Sequence, residues 1–219
     1  MSAVPPRDEA ELLARARALA GATVAEVAAS CGWAVPRDLR RHKGWLGDLL
    51  EAALGATARS RPLPDFTELG IELKTVPVDV AGRPRESTHV CAIALGDLAG
   101  QRWQTSTVRA KLARVLWMPV EARAELPLAV RRIGAPRLWS PSAAEEGVLR
   151  ADWEEHMELL ATGRFDQLDA RLGVYLQVRP KAANARALTA AGDAEGAPGA
   201  TLPRGFYLRS SFTRGLLAP

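Results

Sequence analysis

The stretch Pro64-Asp65-Phe66-Thr67-Glu68-Leu69-Gly70-Ile71-Glu72-Leu73-Lys74-Thr75 decides how this chain is read. It places an aspartate ahead of a short turn and then Glu-x-Lys on an apolar strand, expected over residues 69–78. Residues two apart on a strand share a face, roughly 6.6 Å apart along it. Ile71 and Leu73 are therefore expected to face a core, with Glu72 and Lys74 facing out together. A turn at Gly70 that folds Asp65 back would bring two carboxylates and one ammonium to a single spot. Two carboxylates suit Mg²⁺, a hard cation that takes oxygen ligands and keeps several of its waters. Beside an ammonium, such an ion makes water a better nucleophile, which is what phosphodiester hydrolysis needs. Taken alone, Glu-x-Lys equally describes a solvated ion pair on an exposed strand, so the rest of the chain must discriminate.

With 219 residues, 47% apolar and 25% charged, the chain suits one large domain or two small lobes of a soluble globular protein. No apolar run approaches the roughly 18 residues of a membrane span. The N-terminal Met-Ser-Ala-Val-Pro-Pro-Arg-Asp-Glu lacks the apolar core of a signal peptide. Cys31 and Cys91 form no C-x-x-C and read as buried free thiols of a reducing compartment, so a cytoplasmic protein is expected. His42, His89 and His156 are scattered without zinc spacing. No Gly-rich phosphate loop or nucleophile elbow is present, which argues against a metabolic enzyme.

Charge is unevenly spread. Residues 101–137 hold eight Lys/Arg against two acids, and residues 170–219 hold seven against two. Residues 145–169 between them hold eight acids. This layout fits a protein with one polyanion-facing side, although an evenly mixed folded surface would also satisfy it. Only Lys43, Lys74, Lys111 and Lys181 are lysines; the other 25 of the 29 basic residues are arginines. In so arginine-rich a chain, a lysine marks a place where a planar guanidinium would not fit or would not do the chemistry.

Helices are expected over residues 8–20, from Thr23 with a capping box to Glu26, over 44–55, and from Ser142 with a capping box to Glu145 as far as 161. In the 44–55 helix, Glu51 flanks the apolar stripe, so it either reaches into a cleft or sits at the surface. Continuous apolar runs at 89–95 and 113–120 fit strands buried on both faces, and 131–139 reads as another strand. A short helix is expected at 164–172 and a mobile loop at 191–200. Residues 174–179 alternate, predicting Val174, Leu176 and Val178 inward and Tyr175, Gln177 and Arg179 outward. Residues 205–209 alternate again, with Tyr207 and Arg209 on the polar side, and a short helix closes the chain. Arg179 and Lys181 are candidates for base-edge or adjacent phosphate contacts, because Lys and Arg can bond guanine O6 and N7. Lys43 and Lys111 read as phosphate contacts, or as ordinary surface lysines.

With these segments in place, the chain resembles the MutH-type mismatch-repair endonucleases. The likeness runs through Lys43-Gly44-Trp45-Leu46-Gly47-Asp48-Leu49-Leu50-Glu51 and from Asp65-Phe66 to Gly70–Asp79. It continues at Arg114-Val115-Leu116-Trp117-Met118-Pro119-Val120-Glu121 and Leu138-Trp139-Ser140-Pro141. The last matching stretches are Tyr175–Ala185 and Leu202-Pro203-Arg204-Gly205-Phe206-Tyr207-Leu208, so nearly the whole chain is covered in order.

The resemblance implies an α/β, restriction-endonuclease-like fold: a mixed central sheet flanked by helices, in one domain over residues 1–219 whose two lobes form a DNA cleft. Catalytic residues would fall in the N-terminal half and recognition segments in the C-terminal half. It implies Mg²⁺-dependent nicking of the unmethylated strand of double-stranded DNA at hemimethylated GATC sites. It matches Asp65, Glu72 and Lys74 to the catalytic motif and Glu51 to a further active-site acid. Asp65 and Glu72 would hold the ion with help from the Leu73 carbonyl. The likeness places Tyr207 near the adenine whose methylation is sensed; on pattern alone it is equally a half-buried sheet residue. It further implies a MutL-type activator, acting after MutS, and a monomer with one active site per DNA. The chain ends soon after Leu216-Leu217, so regulation through a longer tail is not expected. The rival expectations are a type II restriction endonuclease of the same fold and a non-catalytic sequence-specific DNA-binding protein.

Overall fold

The computed structural model describes residues 3–39, 42–58, 61–96, 98, 100–169, 171–181, 189–192 and 198–218. These fall into two compact units, one within Met1–Glu86, Lys111–Ser140 and Leu216–Pro219, the other within Ser87–Ala110 and Pro141–Gly215.

In the first unit, helices α1 (Glu9–Ala18), α2 (Val24–Cys31) and α3 (Trp45–Leu54) accompany a three-stranded sheet. Asp8 caps α1 by accepting the Glu11 N–H, and acids in its first turn with arginines in its last complement the helix dipole. The capping box expected at Thr23 and Glu26 is present in both directions. The strands β1 (Glu72–Val78), β3 (Val115–Glu121) and β4 (Arg137–Trp139) lie in the order β1-β3-β4. β1 and β3 are parallel and β3 and β4 antiparallel, so the sheet is mixed and β1 is an edge strand. One core joins Leu12, Val27, Leu49, Leu50 and Leu54 of the helices to Ile71, Leu73, Leu116 and Met118.

The second unit contains β2 (Thr88–Ala92), α4 (Thr107–Leu112, its last residues in the first unit), α5 (Ala143–Ala161), β5 (Leu176–Pro180), β6 (Thr189–Gly192), β7 (Pro198–Thr201), β8 (Arg204–Leu208) and most of α6 (Ser210–Leu217). An antiparallel sheet has the order β2-β8-β5, and β6 pairs with β7. α5 opens with the capping box expected at Ser142 and Glu145.

Several expectations change. Residues 191–192 and 198–200 belong to the β6–β7 hairpin rather than to a loop, while 193–197 lie outside the described residues. Among the described residues of 164–172, where a helix was expected, only Phe165–Gln167 form a 3₁₀ turn. Of 131–139, only Arg137–Trp139 is a strand; Ile133 makes a single bridge to Val120. β2 stops at Ala92 and is an edge strand whose Ala92 is exposed, so the run 89–95 is not a strand buried on both faces. Val174 is exposed, because the ladder begins only at Leu176, and Gln177 is buried with its amide donating to Ser87 Oγ.

Candidate active site

The site is built on the free edge of β1. Phe66 and Ile71 exchange backbone hydrogen bonds across a tight turn. Gly70 closes that turn at φ 64°, a conformation that costs glycine little and most residues more. The turn folds Asp65 back along β1, where its Oδ2 accepts the Leu73 N–H at 2.9 Å. The Glu72 N–H bonds Arg114 O on the β3 side. In a parallel ladder successive residues turn their amide and carbonyl to alternate edges, so those of Leu73 face the open edge that Asp65 occupies.

Glu72 and Lys74 do not face solvent as expected. Both are buried, Glu72 at 2% and Lys74 at 9% exposure, because a parallel strand is covered on both faces. Lys74 Nζ donates to Glu72 Oε1 at 2.6 Å. Lys111, at the end of α4, donates to both oxygens of the same carboxylate, at 2.9 and 2.8 Å. Two of the four lysines therefore converge on one buried acid. α4 was not foreseen from the sequence, but the scarcity of lysine was a signal that could have drawn Lys111 to Glu72.

Glu51, on α3, belongs to the same electrostatic neighbourhood. Burial first, then the charges of Asp65, Asp48 and Glu72, push its carboxyl up to about 7, with Lys111 opposing. Burial and Glu72 also raise the Asp65 carboxyl, against the Leu73 N–H and the two lysines. Glu51 and Asp48 line an open cavity of about 760 Å³ together with Trp33, Thr57 and Arg61.

Crowded carboxylates that resist ionising are what a cation would relieve. The oxygens on offer are those of Asp65 and Glu72, with the Leu73 carbonyl turned to the same edge. That hard, sparse set fits a small divalent cation that keeps most of its own waters. Among the described residues no group of three or more His, Cys, Asp or Glu is arranged to hold an ion.

The other residues singled out from the sequence lie elsewhere. In the second unit, Gln177 and His89 pair with Tyr207 from either side, across β5, β8 and β2. The Arg179 guanidinium stands 5.6 Å from the centre of the Tyr207 ring, and the His89 ring meets it edge-on at 5.1 Å. Lys181 is exposed at the end of β5, its backbone N–H bonded to Pro203 O. Residues 182–185 of the same matching stretch lie outside the described residues. Lys43 is exposed ahead of α3, in the first unit. Arg209 turns away from the polar side and donates to the Gly173 and Leu172 carbonyls.

Helix-flanked mixed strands with Asp65 and Glu72-x-Lys74 along an open sheet edge fit the restriction-endonuclease-like fold class. A family model described as DNA mismatch repair enzyme MutH matches residues 54–152. The DNA mismatch repair protein MutH of Serratia proteamaculans is 56% identical over 214 residues, covering 98% of this chain and 94% of that protein. Its namesakes from Salmonella paratyphi B and Salmonella typhimurium are each 56% identical over 214 residues, covering 98% of this chain and 93% of theirs. The chain belongs to the MutH family of mismatch-repair endonucleases. Among the described residues, no helix is long and apolar enough to cross a membrane.

Proposed function

We propose that this endonuclease nicks the unmethylated strand of double-stranded DNA at hemimethylated GATC sites with Mg²⁺, as a cytoplasmic monomer switched on by a MutL-type activator after MutS has found a mismatch. The observation that carries the reading is the meeting of Asp65, Glu72 and Lys74 on the open edge of β1. Asp65, Glu72 and the Leu73 carbonyl would hold the ion, which supplies Lewis acidity to the scissile phosphate and to the attacking water.

The chain's own groups do the rest. Lys74, fixed by Glu72 at 2.6 Å, orients the water and offsets charge building on the phosphate. Lys111 adds a second ammonium in the same place. Glu51, pushed up to about 7, can take up a proton near neutral pH. Arg179, Lys181 and Tyr207 read the site: the cations through base edges or adjacent phosphates, the ring through close packing that rejects an N6-methyl group. Lys43, with Lys111, contributes phosphate contacts that set the register of the duplex.

The test is cleavage of supercoiled plasmid and of a hemimethylated GATC duplex, with Mg²⁺ or with chelator, with and without the MutL-type activator. Open circles without linear product, chelator sensitivity and stimulation by the activator are expected. Linear product would favour a double-strand cutter, and metal-independent cleavage would end the Mg²⁺ assignment.

A further inference from the structure

β5 is short, and it enters its sheet from a turn at Gly173, where φ is 80° and an added Cβ would lie 2.1 Å from Leu176 O. Two charged side chains grip that entry from opposite chemical sides. Asp152, on α5 and 4% exposed, accepts three consecutive backbone N–H groups: Val174 on Oδ1 at 2.8 Å, Tyr175 and Leu176 on Oδ2 at 2.6 and 2.8 Å. Arg209 takes the carbonyls: its Nε donates to Gly173 O at 3.0 Å, its Nη2 to Leu172 O at 2.6 Å and its backbone N–H to Tyr175 O at 2.8 Å. Hydrogen bonds to ionised groups are shorter and stronger than neutral ones.

Arg209 follows Tyr207 by two residues, and the gripped segment leads directly to Arg179. The apolar pair Leu176 and Val178 decides which face of β5 meets the apolar core, with Gln177 buried on the other face. It does not fix the strand to the fraction of an ångström that a bidentate base contact demands. A slip of one residue would also carry Arg179 to the face opposite Tyr207. We propose that Asp152 and Arg209 form a charge clamp on the entry to β5, and that this clamp is a specificity-determining, positioning pair for Arg179 and Tyr207. The clamp rests on the reading of Arg179 and Tyr207 as base-contacting residues.

The test compares kcat/KM of the full-length protein on a hemimethylated GATC duplex with that on a duplex in which the G·C pair of the site is replaced. Asp152→Asn keeps volume but turns an amide group toward N–H donors. The selectivity ratio should fall about tenfold or more, the size of one lost base contact, with nicking of non-cognate DNA retained. Leu160→Ala, a core change on α5 two turns beyond Asp152, should lower Tm and keep the ratio. A folded Asp152→Asn with unchanged ratio, or a Leu160→Ala that loses it equally, would reduce the clamp to a stabilising role and overturn the proposal. If Asp152→Asn does not fold, Arg209→Gln carries the same comparison. Hydrogen exchange in the unaltered protein adds a check: the amides of Val174, Tyr175 and Leu176 should be strongly protected, and rapid exchange would also defeat the clamp. Arg179→Ala serves as reference. If it leaves the ratio unchanged, the base-contact reading fails and the clamp's role in specificity falls with it. If Arg179→Ala lowers the ratio and Asp152→Asn does not, the clamp alone fails.

Discussion

Lys111 and Glu72, 39 residues apart in sequence, are joined by two hydrogen bonds from one ammonium to both oxygens of one buried carboxylate. Lys74 takes a further position on Oε1. An ionised carboxylate offers about four lone-pair directions, so roughly one remains, on Oε2. Any cation held by Glu72 must use that direction or move a lysine. The acid is thus at once a ligand candidate and the fixture that holds two ammonium groups in place.

Lys74→Ala should leave DNA binding intact and slow nicking by at least about a thousandfold, because an ammonium placed at the reacting phosphate acts chiefly on the transition state. Plasmid nicking with a parallel binding titration measures both. Undiminished nicking would remove Lys74 from the mechanism.

Glu72→Gln should destabilise the protein and Asp65→Asn should not. Glu72→Gln leaves two lysines, each nearly buried, without their shared counter-charge. That should cost about 3 kcal/mol, the lower end for breaking a buried pair, since Asp65 and Glu51 remain nearby. Asp65 is disfavoured as an anion by burial and by Glu72, and Asn can still accept the Leu73 N–H, so Asp65→Asn should be neutral or stabilising at neutral pH. Urea unfolding midpoints compare the two, and a larger loss for Asp65→Asn would contradict the charge assignment.

Glu51 makes stability depend on pH. Its folded pKa of about 7 lies above the ordinary 4.5, so between those values the native state holds the proton more tightly than the unfolded chain. This contribution is complete below pH 4.5, declines as pH rises and is lost above about 7. Glu51→Gln should therefore raise Tm relative to the parent above pH 7 and leave it unchanged near pH 4. A constant difference across that range would show that Glu51 titrates normally.

Tyr207→Ala should narrow the preference for hemimethylated over fully methylated GATC DNA, by about tenfold if the ring acts as one base contact. Tyr207→Phe should keep most of it, because rejection of a methyl group relies on the ring rather than the hydroxyl. Relative cleavage rates on the two duplexes decide; equal selectivity in the alanine variant would return Tyr207 to an ordinary sheet residue.

Local chemistry made much of this legible. The capping boxes at Thr23 and Ser142, the apolar stripes of α1 to α3 and the turn at Gly70 depend on neighbours within a few residues, and they appear where the pattern placed them. Errors came where distant partners decide. Gln177 alternates like a solvent-facing residue but is buried with Ser87 for its amide. Residues 191–192 and 198–200 are rich in glycine and alanine, yet they pair as a hairpin, because backbone pairing needs no particular side chain.

By itself the sequence determined that Asp65 is carried back toward a strand bearing Glu72 and Lys74, since a glycine turn and a two-residue repeat are local geometry. Only the tertiary structure decided that this face is buried, that Lys111 joins Lys74 on Glu72, and that Asp152 and Arg209 seize the entry to β5. Those are encounters between residues tens of positions apart, and the energy of a buried charge depends on which partners the fold brings to it.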